Sequence, residues 1–121
     1  MGIEEIERYI NKELKQFKIK QCSKGYKYLA AAIYICILNE DAIENMSQNV
    51  YPIVAQKFKV KNIKRVKWTL ENAINIIYRD TEINTLCKYF DIEIDQKLTV
   101  KFFVYTIVSK FINSKQQHTT F

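Results

Sequence analysis

The chain has little of the material that makes tight turns. Its 121 residues contain two glycines, Gly2 and Gly25, and one proline, Pro52. So few turn formers argue against an all-β fold, whose many reversals need them. Histidine is nearly missing too, with His118 alone near the C-terminus. The three cysteines, Cys22, Cys36 and Cys87, are odd in number, far apart and without a CxxC pair. A zinc site is therefore not expected, and reduced thiols in a cytosolic protein are the simpler reading. Glycine-rich phosphate loops are absent, no cysteine has a positioned base, and Asp and Glu are scattered over helix surfaces and caps. The pattern implies neither an enzyme nor a cofactor. Spanning a membrane takes roughly 20 apolar residues. The longest apolar run here, Tyr28 to Leu38, has eleven. It begins too far into the chain for a signal peptide, and Asn39-Glu40-Asp41 follows where small residues would mark cleavage. That run is expected to be a core helix, and no membrane partner is implied.

What the chain does contain is apolar material, 48% of its residues, and a net charge of +6. The length suits one domain, residues 1–121, without linker or internal repeat. The expected class is all-α, about six helices around one core. Ile3, Ile6, Ile10, Leu14 and Phe17 repeat at helical spacing, with Glu at the start and Lys at the end. Ser23 offers an N-cap to a second helix from Lys24 to about Asn39, and Asp41 with Glu44 resembles a capping box for a short third piece. Asp80 or Thr81 is expected to cap a brief helix containing Ile83, Leu86, Cys87 and Phe90. Asp91 to Leu98 is expected to be a loop, since a lone strand has nothing to pair with. Thr99 then caps a last helix with Phe102, Phe103, Ile107, Val108, Phe111 and Ile112. Residues 114–121 form a polar tail expected to fray.

The charge is not spread evenly. Lys57, Lys59, Lys61, Lys64, Arg65 and Lys67 fall within eleven residues, and no Asp or Glu occurs between Glu44 and Glu71. The same stretch, about 50–78, predicts a short helix, a turn and a longer helix. Asn49 can cap the first helix, with Pro52 in its first turn and Val50, Ile53, Val54 and Phe58 as its buried side. Lys59 to Asn62 is the turn. In the longer helix, Ile63, Val66, Leu70, Ala73, Ile74 and Ile77 share one stripe. Lys64, Arg65, Trp68, Glu71, Asn72 and Asn75 take the opposite arc, with Lys67 at its edge. Cations for phosphates, amides for base edges and an aromatic for stacking are the side chains of a surface that reads a DNA groove. A helix-turn-helix with about 63–78 as recognition helix is the expectation. A second basic cluster, Lys12, Lys15, Lys18, Lys20, Lys24 and Lys27, reads first as a solvated surface and second as a flank for phosphates.

Several of these residues resemble one family. Lys24-Gly25-Tyr26-Lys27-Tyr28-Leu29, then Tyr51-Pro52 with Ala55, Lys57 and Phe58, then Arg65-Val66 and Ala73-Ile74, are similar to the C-terminal effector domain of the sporulation initiation response regulator. The similarity runs from about Ile3 to Ile112. It implies six helices, with the pair at 50–58 and 63–78 as helix-turn-helix. It also implies binding of double-stranded DNA at short promoter boxes often in tandem, with a dimer on paired sites, and contact with the sigma subunit of RNA polymerase. Family members carry a receiver domain ahead of this one, so an excised fragment or a stand-alone effector is expected. The family tends to have Glu, Arg and Arg where this chain has Lys67, Trp68 and Glu71, and a small polar residue at Lys64, while Arg65 matches. The competing expectation is a protein–protein interaction module that keeps the fold and uses Trp68 as an anchor. RNA binding is the weaker third, since no aromatic sheet motif is visible.

Overall fold

The computed structural model describes residues 2–93 and 95–117. Among them there are seven α-helices and no strand: α1 Ile3–Leu14, α2 Lys24–Leu38, α3 Met46–Asn49, α4 Tyr51–Lys57, α5 Ile63–Asp80, α6 Ile83–Phe90 and α7 Val100–Gln117. A 3-10 segment, Glu40–Asn45, joins α2 to α3. The all-α expectation holds, and the count rises by one because the region after α2 breaks into a 3-10 piece and a four-residue helix.

α2 is the hub. It packs on α7, α5 and α1, and it buries Tyr26, Tyr28, Leu29, Ala31, Ala32, Ile33 and Cys36. Burial on so many sides is what its continuous apolar run demands. The hydroxyl of Ser23 accepts from the Tyr26 N–H at 3.2 Å, the expected N-cap. α7 supplies the facing layer with Phe103, Val104, Ile107, Val108 and Phe111. Below it Phe17, already past the end of α1, stacks among Tyr89, Phe90 and Phe103 at centroid distances of 5.1 to 5.6 Å. Burial raises the pKa of the enclosed Cys36 thiol to about 11.

Several short-range expectations do not hold. α1 ends at Leu14, and Ile3 is exposed. Asp41 and Glu44 form no capping box, since the 3-10 segment begins without a side-chain cap; Asn45 instead caps α3 through Gln48 N–H. Asn49 is the last residue of α3, so α4 starts from Val50 with no side-chain cap, and Pro52 sits in its first turn. Neither Asp80 nor Thr81 caps α6. The Thr81 hydroxyl oxygen is instead an acceptor for the Lys18 N–H at 2.9 Å, tying the α1–α2 connector to the end of α5. Thr99 does cap α7, accepting from Phe102 N–H at 3.1 Å. α7 continues to Gln117, so residues 114–117 of the expected frayed tail are helical. Residues 118–121, including His118, lie outside the described ones, as does Ile94 within the 91–98 loop.

Two backbone features set where α5 lies. The first is Gly25, where α2 meets α5: a Cβ built there would stand 2.8 Å from the Cβ of Ala73. Two helices approach that closely only when one side chain is missing. The second is the turn Phe58–Asn62. Val60 N–H donates to Ala55 C=O at 2.8 Å and Lys59 N–H to Gln56 C=O at 3.3 Å. This is a Schellman ending of α4, and Lys59 occupies its left-handed position with φ 56°. Glycine is the usual residue there, because a Cβ in that conformation costs about 1–2 kcal/mol. Asp91 does the same after α6, at φ 53° with Ile92 N–H on Cys87 C=O.

Opposite effects are expected from substituting the two positions. Gly25→Ala should destabilise by about 1–3 kcal/mol, the usual range for overpacking a tight contact. Lys59→Gly should stabilise by about 1 kcal/mol by removing the left-handed strain. Thermal or denaturant unfolding of both variants measures this; a stabilised Gly25→Ala would refute the close approach.

Candidate nucleic-acid interface

The surface is built on α5. Its stripe Val66, Leu70, Ala73, Ile74 and Ile77 is buried against α2, α4 and α7, as the spacing predicts. That burial fixes the helix's rotation and so decides which side chains face outward. Lys64, Arg65, Lys67, Trp68, Glu71, Asn72 and Asn75 are all exposed. Trp68 is the extreme case, 66% exposed, so the chain's only tryptophan is not packed against a neighbouring helix. Lys64, Trp68, Glu71 and Asn75 follow one another by four, three and four residues, forming one row along the outward face.

Asn62 starts the helix: its side-chain oxygen accepts from Lys64 N–H at 2.9 Å. The sequence assigned it to the turn and did not identify it as a cap. Lys57, Lys59 and Lys61 are exposed around this turn, and the Lys57 ammonium lies 5.9 Å from the Phe58 ring centroid. Phe58 in turn packs on Tyr28 of α2, ring centroids 4.9 Å apart, which holds the turn onto the core.

Two apolar residues fall outside the expected pattern. Ile53, expected on the buried side of α4, is 48% exposed, and Ile63, expected in the α5 stripe, is 43% exposed. α4 buries Val54, as expected, together with Tyr51 and Ala55. Seven residues make only two turns, so apolar spacing alone leaves the buried side of such a helix open, and Ile63 is the first helical residue, at the edge of the packing.

The electrostatics are one-sided. Among the described residues the side-chain ion pairs are Arg79–Asp80 and Lys115–Glu5. Neither involves Lys57, Lys59, Lys61, Lys64, Arg65 or Lys67, whose charges therefore face solvent uncompensated. Arg79, four residues past Asn75, extends the outward row, but its guanidinium grips Asp80 with two hydrogen bonds, at 2.7 and 2.9 Å. That pairing holds the Asp80 carboxyl below its ordinary range. The cationic surface thus belongs to the first half of α5 and the turn before it. Glu71 is the single carboxylate of the outward row. Tyr51, buried beneath, has its phenol pKa raised by desolvation and, secondarily, by the Glu71 charge.

The second basic cluster is exposed as well, from Lys12 and Lys15 through Lys18 and Lys20 to Lys24 and Lys27. Lys18 and Lys20 line a shallow groove of about 690 Å³ with Phe17, Ile19, Ile76 and Arg79. They lie toward the C-terminal end of α5, away from the turn. No described helix is long and apolar enough to cross a membrane.

The model of one protein family, described as Sporulation initiation factor Spo0A C terminal, matches residues 10–111. The match takes in every helix from α2 to α6 whole, the last turn of α1, most of α7, and the entire outward row of α5. The chain belongs to the Spo0A C-terminal family, the DNA-binding effector domains of sporulation control.

Proposed function

We propose that this domain regulates transcription by binding duplex DNA through α4, the turn and α5 as a helix-turn-helix, with the outward row of α5 in the major groove. The observation that carries the reading is the uncompensated charge. Six cations stand within eleven residues around the start of α5, all exposed and none in an ion pair among the described residues. A helix surface that served only solubility would mix both signs, whereas a phosphate backbone rewards one sign alone.

Roles follow from side-chain chemistry. Lys57, Lys59, Lys61, Lys64 and Lys67 suit phosphates, as flexible point charges. Arg65 suits the bidentate contact with guanine, and Asn72 and Asn75 the bidentate contact with adenine. Trp68 has one N–H donor and a large apolar face, which suits a thymine methyl or a sugar edge. Lys59 adds a second line of support. A lysine occupies a left-handed position where glycine would be less strained, and residues held in such conformations cluster at functional sites. Contact with the sigma subunit of RNA polymerase and a dimer on tandem sites, both implied by the family resemblance, are part of the same proposal.

A second reading is favoured by the exposed apolar residues Trp68, Ile53 and Ile63. A rigid exposed tryptophan is a frequent anchor of protein interfaces, and the domain would then use α5 on another protein.

One pair of variants separates the readings. On the DNA reading, Lys59→Gly should be more stable yet bind duplex DNA several-fold more weakly, because a phosphate contact is lost. Trp68→Ala should also weaken DNA binding, leaving the sedimentation coefficient unchanged. Intact DNA affinity in Trp68→Ala, together with loss of self-association or partner binding, would establish the interaction module instead.

A further inference from the structure

The outward row of α5 contains one residue that an anion-binding surface should avoid. Glu71 is exposed between Trp68 and Asn75, four residues after Lys67 and seven after Lys64. The lysine four residues away is within reach of a partner carboxylate on a helix, whereas the one seven away is two turns off. Yet Glu71 pairs with neither of them, and it makes no ion pair among the described residues. The order Lys67 then Glu71 is also the less favourable one for such a pair. Its carboxylate therefore points from the helix with its hydrogen-bonding capacity unused.

Placed against duplex DNA, that carboxylate is surrounded by phosphates, about one negative charge per 1.7 Å of helix axis. It weakens binding unless a donor on the DNA meets it. The phosphates and sugars of the backbone offer no N–H donor in DNA. In the major groove the donors are the N4 amino group of cytosine and the N6 amino group of adenine. Adenine also presents its N7 acceptor beside that amine, which a carboxylate cannot satisfy and an amide can. Cytosine presents the amine without that adjoining acceptor.

Resting on the DNA reading above, we infer that Glu71 is a specificity-determining residue that accepts a hydrogen bond from cytosine N4 and penalises every other base at that position. Glu71 then contributes to discrimination and subtracts from overall affinity. Its neighbours in the row divide the work differently: Lys64 supplies charge, Trp68 apolar contact, and Asn75 an amide.

The test is selection of bound sequences from a random duplex pool with the full chain, its Glu71→Gln variant and its Glu71→Ala variant, followed by titration of the selected boxes. The wild-type box should hold a cytosine that Glu71→Ala no longer requires. Glu71→Gln should shift that position toward adenine, the base an amide pairs with in two bonds. Discrimination at that position should drop roughly 5- to 100-fold in Glu71→Ala, the range of one good base contact. Affinity of both variants for unrelated duplex should rise several-fold. A box unchanged at every position in both variants would overturn the role of Glu71 while leaving DNA reading intact. A wild-type chain that enriches no sequence would overturn both. Because Glu71 is exposed, unfolding midpoints of both variants should match wild type, and a matching midpoint ties any change of preference to the groove contact.

Discussion

Everything on the candidate surface depends on one constraint, the rotational setting of α5 about its own axis. Val66, Leu70, Ala73, Ile74 and Ile77 are at most 2% exposed, and turning the helix by one residue would bring charged or amide side chains into that place. Burying an unpaired lysine or glutamate costs several kcal/mol, so the alternative settings are closed. The Gly25–Ala73 approach adds a distance to this angle, since α5 can sit that close to α2 only where no Cβ intervenes. Angle and distance together aim Lys64, Arg65, Trp68, Glu71 and Asn75 outward. The hydrophobic core thereby does the positioning that a reading surface needs, and does so on a helix rather than a loop.

The turn before α5 completes the arrangement with different physics. Its backbone is held by the Schellman hydrogen bonds and by Phe58 on Tyr28, so it is a defined structure despite having no glycine. Left-handed strain at Lys59 is retained along with a cation, next to Lys57 and Lys61. Asn62 then spends its side chain on Lys64 N–H, which starts α5 sharply. Short, fixed spacing between the lysines and the outward row is the result. The net charge of the domain matters less than this local segregation, because Asp and Glu are kept out of residues 45–70.

The stripe of α5, the enclosed α2 and the apolar face of α7 were legible in the sequence because long helices repeat their pattern over several turns. The outward row was legible for the same reason: the residues opposite a clear stripe can be named without coordinates. Shorter elements were not. α4 has two turns, so Ile53 looked as suitable for burial as Tyr51, and tertiary packing chose Tyr51. Caps failed wherever two candidates lay near each other: Asn45 rather than Asp41 opens the next helix, and Thr81 serves Lys18 rather than α6. The left-handed residue at 59 carried no signal, since lysine is not a residue that announces that conformation. Nor was the solitary state of Glu71 visible, because the sequence places Lys67 within reach and only the structure shows the two unpaired.

The proposed interaction is electrostatic at its core: the exposed lysines around the start of α5 grip phosphates. Its most direct measurement is the affinity of the chain for duplex DNA as a function of salt. Each neutralised phosphate contributes a slope of about −0.9 to log affinity against log salt. Contacts by the five lysines predict a slope of roughly −4 to −5, reduced by about 2 when Lys64, Arg65 and Lys67 are changed together to Ala. An affinity insensitive to salt, or a slope that the triple variant leaves unchanged, would contradict it.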